Sequence, residues 1–136
     1  MSIEAVGTGI KTTILATIPT GLRVYATNEI PDSLELPCAL IMLGPGDYAT
    51  TFDGTFDQIF RLIVCVSKQD TPSAFNRLLD YIDHTGDKSI FAALDVDRTL
   101  NGSCSASKCA SHSGAGATPW GNIVYLSTEF QLQVWS

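Results

Sequence analysis

One segment, residues 56–83, constrains this chain more than any other. Residues 56–66 are β-branched and aromatic, and Phe60, Leu62, Val64 and Val66 recur at period two, which predicts a strand over 56–68. Asp70-Thr71-Pro72-Ser73 follows at once. It supplies a helix N-cap with proline at the first helical position, so a helix is predicted over about 72–83. Within it, helical spacing points Phe75, Leu78, Leu79 and Ile82 inward. An α+β domain follows from this pairing of elements; an activity does not.

A second helix signal opens the chain. Val6, Ile10, Ile14 and Ile18 repeat every fourth position, with Ile3 one turn earlier, which predicts a helix over 2–18 that packs on a sheet. Pro19-Thr20-Gly21 ends it, Leu22-Arg23-Val24-Tyr25 alternates as a short strand, and residues 26–35 read as a surface loop. The apolar run 37–43 predicts a buried strand, broken by Gly44-Pro45-Gly46. With the strand that follows it should form an antiparallel hairpin with a long distal end, 47–57. Ser89 then starts a short helix, 90–94, burying Ile90, Ala93 and Leu94. Residues 100–112 read as a semi-exposed strand and 113–119 as a flexible link. The terminal strand, 122–135, alternates Phe130, Leu132 and Val134 with Glu129, Gln131 and Gln133. The expected whole is a single domain, 1–136, with a mainly antiparallel sheet, a long hairpin and two to three helices on one face.

Bulk properties exclude several functions. With 136 residues, 45% of them hydrophobic and 16% charged, the chain can bury a single sizeable core. A net charge of −6 and scattered basic residues argue against general binding to a phosphate backbone. No apolar stretch approaches the roughly 20 residues that span a bilayer, and Met1-Ser2-Ile3-Glu4-Ala5 lacks the basic start of a signal peptide. A cytoplasmic protein is expected, one with free thiols at Cys38, Cys65, Cys104 and Cys109. Cys38 and Cys65 lie in apolar strand runs, where cysteine acts as a small hydrophobe.

The constellations that could carry chemistry are thin. Cys104, Cys109 and His112 have a spacing that suggests metal ligands; a structural zinc lacks its fourth ligand and second close pair, which leaves only a three-ligand catalytic zinc geometrically open. His84 closes a helix, where a cation complements the C-terminus. Asp80 and Asp83 share a solvated helix face, and Asp95-Val96-Asp97 lacks the remaining calcium-loop ligands. Gly114 and Gly116 do not lead into a helix, so no phosphate cradle is expected. No catalytic residue, cofactor or metal is therefore assigned. Aromatic residues outside the expected core are better candidates: Tyr48 and Phe52 at the hairpin tip and Trp120 after a glycine-rich stretch either anchor an interface or fold back over the sheet edge.

The order helix, strand, long-looped hairpin, helix, short helix, two strands resembles the tail terminator family of long-tailed bacteriophages and its minor tail and tail-completion relatives. The likeness is carried by Leu22-Arg23-Val24-Tyr25, Pro37-Cys38-Ala39-Leu40, Asp47-Tyr48, Thr51-Phe52-Asp53-Gly54 and residues 60–66. Residues 74–81, Ser89-Ile90-Phe91-Ala92-Ala93-Leu94 and 125–134 extend it, while the serine- and cysteine-rich stretch 102–113 departs from it. The resemblance implies a structural protein rather than an enzyme: a hexameric ring on the head-proximal end of the tail tube. Such a ring stops tube polymerisation and meets the head-completion or neck proteins, and DNA passes through its lumen without specific binding. It is assembled in the host cytoplasm and resides in the virion, with no membrane partner. Asp47, Tyr48, Phe52, Asp53 and Trp120 are then the candidate contacts with neighbouring subunits and the tail tube. A head-closure or neck connector is the alternative within the same particle. A small cytoplasmic enzyme or ligand-binding domain is the alternative outside it.

Overall fold

The computed structural model describes residues 2–47, 57–68 and 74–135. Helix α1, Ile3–Thr17, is capped by Ser2, whose Oγ accepts from the Ala5 amide at 3.3 Å. Val6, Ile10 and Ile14 form its buried stripe, as their spacing predicts. Gly9 is buried in the same helix because the chain passes close by. A Cβ there would strike the Leu100 carbonyl, so glycine's cost in a helix of about 1 kcal/mol is accepted for tight packing.

Strand β1, Arg23–Tyr25, lies parallel to β2, Cys38–Asp47, with Arg23 opposite Cys38 and Tyr25 opposite Leu40. Parallel neighbours need a crossover of about a dozen residues or more, and residues 26–37 supply it. The crossover is tied to α1 by Lys11 Nζ on Glu29 at 2.9 Å and by Asn28 Nδ2 on Glu4 at 3.0 Å. β2 does not stop at Gly44-Pro45-Gly46 as its composition suggests. It continues to Asp47 through an irregular register between Leu43 and Gly46. Gln58 makes this possible: its buried amide donates to the carbonyls of Gly44 at 2.7 Å, Ile59 at 2.8 Å and Pro45 at 3.3 Å. A Cβ on Gly44 would come within 2.8 Å of the Ile59 carbonyl oxygen, so the bulge requires glycine.

β3, Asp57–Lys68, is the central strand. It pairs antiparallel with β2 on one side and on the other with β6, Ile123–Trp135. Helix α2, Phe75–Ile82, follows; the expected capping residues Asp70 and Pro72 lie outside the described residues. α2 corrects the predicted inward face. Of the four expected residues Leu78 is buried and Ile82 packs half-buried on the core, but Phe75 is 41% and Leu79 45% exposed, and Ala74 and Tyr81 are buried in their place. Both stripes have helical spacing and lie about 100° apart around the axis. The one that buries the large Tyr81 ring is the one that meets the sheet. Helix α3, Ile90–Asp95, buries Ile90, Ala93 and Leu94 as expected, with Ser89 Oγ accepting from Ala92 N at 3.1 Å.

The C-terminal third differs most from expectation. Residues 100–105 are not strand: Asp97 accepts from the amides of Thr99 and Asn101, both at 3.0 Å, and closes a turn that drives Leu100 into the core. β4 begins only at Ala106 and ends at His112, and part of the supposed flexible link is a further strand, β5, Gly116–Trp120. Both pair antiparallel with β6, β4 along its second half and β5 along its first. Together they form one interrupted edge strand, joined to β6 by the turn Gly121-Asn122.

The sheet order is therefore β1-β2-β3-β6-β4, with β5 also on β6. The fold is α+β, mostly antiparallel, as predicted. All three helices contribute to one core cluster with Ala39, Ile41, Phe60, Leu62, Val64, Phe130, Leu132 and Val134 from one sheet face. The opposite face carries a smaller cluster, Cys38, Leu40, Ile63, Cys65 and Tyr125. Ile30 and Leu34 from the crossover, with Trp120, pack against it. Among the described residues no helix is long and apolar enough to cross a membrane.

Candidate interaction surface

The expected contact residues separate in space. Asp47 ends β2 opposite Asp57, the last described pair before the connection between β2 and β3. Tyr48, Phe52 and Asp53 lie outside the described residues. Trp120 ends β5 and folds back over the second sheet face, half-buried against the cluster of Cys38, Leu40 and Tyr125. Its indole Nε1 donates to the Pro31 carbonyl at 3.1 Å.

Strand alternation divides that second face into two halves. Next to Trp120 it is apolar and covered. Beyond Ile63 it turns polar: Arg61 stands opposite Gln131, and Ile59 and Lys108 both stand opposite Gln133. Arg61 Nε donates to Glu129 Oε1 at 2.6 Å, a diagonal pair across β3 and β6. Such a surface pair adds little stability, typically about 0–1 kcal/mol. It does hold two opposite charges in place over a depression of about 320 Å³, lined also by Pro45, Ile59, His112 and Gln131. Among the described residues no helix packs over this half. Nothing in the sequence marks Arg61 or Glu129 as a contact residue, although Glu129 alternates with Phe130 and Arg61 lies between Phe60 and Leu62, which places both on the face away from the main core.

The helical side carries the apolar counterpart. Phe75 and Leu79 remain exposed on α2, and Phe91 is exposed on α3. A second depression of about 220 Å³ lies between Ile82, Phe91 and the β4 residues Cys109–His112, with Phe130 at its floor.

The metal-like trio is not assembled into a ligand set. Cys104 Sγ points toward the Thr99 carbonyl at 3.4 Å, and Cys109 packs against the helical core. His112 Nδ1 accepts from the Gly114 amide at 3.0 Å while its ring leans on Phe130 at 6.4 Å between centroids. Burial raises both thiols, Cys109 to about 11, which disfavours the thiolate that metals bind. Among the described residues no three His, Cys, Asp or Glu side chains converge. Asp95 pairs with Arg98 at 2.6 Å, and Asp97 is held below the usual carboxylate range by the Thr99 hydroxyl and the Asn101 and Thr99 amides. Both carboxylates are occupied in building their turn. His84 and Asp83 are surface neighbours at 3.7 Å.

No protein-family model matches the chain, and no curated protein matches it in sequence.

Proposed function

We propose that this chain is a structural component of a long-tailed phage particle, the tail terminator, which acts by assembly and not by catalysis. One observation carries the reading: among the described residues every helix lies on one face of the sheet, and half of the opposite face is polar and uncovered around Arg61 and Glu129. A ring of identical subunits needs two different complementary surfaces on each copy, because a head-to-tail contact is heterologous. The open polar half-face and the apolar strip of Phe75, Leu79 and Phe91 are two such surfaces on different elements. The element order also agrees with the one that carries the family resemblance, apart from the added strand β5. An acidic chain suits a channel through which DNA moves without adhering.

The test is electron microscopy of particles made from a phage genome lacking this gene. Filled heads beside free tails of abnormal, variable length are the expected result. Tails of normal length beside leaking heads would move the protein to the neck, and intact particles would refute an assembly role. Complementation with Tyr48→Ala or Phe52→Ala, each folded by circular dichroism, should restore particles poorly.

A further inference from the structure

The register of β2 on β3 sets Cys38 directly opposite Cys65. Opposed residues of an antiparallel ladder point to the same face, with Cα atoms about 4.5 or 5.5 Å apart depending on the type of pair. Both separations fall within the roughly 4.4–6.8 Å that a disulfide spans. The two thiols are free and fully buried on the second sheet face, among Leu40, Ile63 and Tyr125. The other two cysteines offer no such arrangement. Cys109 stands opposite Leu132 on the helical side, and Cys104 precedes the same strand and faces a carbonyl.

We propose that Cys38 and Cys65 are a covalent modification site, a dithiol that hydrogen peroxide closes into a cross-strand disulfide at the base of the β2–β3 hairpin. The sulfur of Cys65, as thiolate, attacks one peroxide oxygen. An S–O bond forms, the O–O bond breaks, and the leaving hydroxide takes up a proton to depart as water. The sulfur of Cys38 then attacks the sulfenic sulfur. The S–S bond forms, the S–O bond breaks, and the hydroxyl leaves as a second water with the Cys38 proton. Two thiols are oxidised by two electrons in all, and one peroxide is reduced to two waters. The facing register is symmetric, so either sulfur can attack first; the coupling within the pair lowers the Cys65 thiol and, with burial, raises Cys38, which favours Cys65 as the attacking sulfur. Peroxide is little larger than water, so it needs only a brief lifting of the cover formed by Ile30, Leu34 and Trp120. Once closed, the cross-link encloses residues 39–64 and restricts the unfolded chain. The inference does not depend on the assembly reading.

The test uses the full-length Cys104→Ser/Cys109→Ser double variant, so that only this pair can react. It is treated with hydrogen peroxide while folded, then examined by intact mass, disulfide mapping and thermal denaturation. The expected product is a monomer lighter by two hydrogens, with one Cys38–Cys65 linked peptide. Its Tm should be raised by roughly 5–10 °C and restored by dithiothreitol. Three results would overturn the proposal: thiols that stay reduced at doses that cross-link the urea-unfolded chain, oxygen adducts without a link, or a link that leaves Tm unchanged or lower. The wild-type chain under the same treatment checks that the double variant has not altered the pair, since the same linked peptide should appear.

Discussion

The Trp120 indole and the Pro31 carbonyl, 89 positions apart in sequence, meet in a 3.1 Å hydrogen bond that pins the β1–β2 crossover to the β5–β6 hairpin. Both connections thereby share one cover over Cys38, Leu40 and Tyr125. Trp120→Phe keeps most of the ring and loses the donor, so denaturant titration should show a loss of about 1 kcal/mol. Trp120→Ala removes the packing as well and should cost about 2–4 kcal/mol. Proteolysis of Trp120→Ala should cut first within residues 26–37. Equal stability of the two variants would remove the ring from the cover.

The two stripes of α2 make a paired prediction. Tyr81 is 4% exposed against the sheet, whereas Leu79 is 45% exposed. Tyr81→Ala should therefore lose about 3–4 kcal/mol, while Leu79→Ser should stay within about 0.5–1 kcal/mol of wild type. On the assembly reading, Leu79→Ser should still weaken ring formation in sedimentation experiments. A reversed order of stabilities would rotate the helix back to the face that spacing alone suggests.

Gly9 tests close packing against helix propensity. Alanine is intrinsically better in a helix by about 1 kcal/mol, yet its Cβ would meet the Leu100 carbonyl. Overpacking of this kind costs about 1–3 kcal/mol, and the backbone it strikes cannot turn aside as a side chain would. A net loss of about 1–2 kcal/mol is expected for Gly9→Ala by urea denaturation; a gain would mean that the turn at Leu100 yields easily.

The Lys11–Glu29 pair predicts a pH dependence of known sign. The Lys11 hydrogen bond holds the Glu29 carboxyl below the value of 4.5 that it has when unpaired. A depressed folded-state value means that the stabilisation is fully present above about pH 4.5 and is lost as pH falls through the folded value. With the Glu29 side chain 47% exposed, solvent screening limits the effect to a few tenths of a kcal/mol. The difference in urea midpoint between wild type and Glu29→Gln should be small but positive at neutral pH. It should vanish in acid and shrink with added salt.

Legibility in the sequence followed the range of the interaction concerned. The stripe Val6, Ile10, Ile14 and the strand 60–66 are local periodicities, and the structure keeps both. Ser89 caps α3 where its position before Ile90 predicts, because a cap acts within one turn. At Gly44-Pro45-Gly46 the local reading fails. A break is the natural expectation for that tripeptide, but Gln58, on the partner strand, supplies donors to its carbonyls and carries the pairing onward. Residues 116–120 fail in the same way: glycine, alanine and proline have weak strand preference, and only the waiting edge of β6 makes them a strand. Of the candidate contacts, Trp120 was legible as an aromatic outside the main core. Its partner Pro31 was not, since nothing local relates the two.

The sequence by itself determined the α+β class, the helices α1 and α3, and the central strands, because each rests on the spacing of apolar residues along one segment. The tertiary structure alone decided which strands are neighbours. It made β1 parallel to β2, laid β4 and β5 end to end along β6, and set Cys38 against Cys65. It also chose the buried stripe of α2, through the fit of Tyr81 to the sheet. Register and facing are properties of two surfaces in contact, and a single segment carries only one of them.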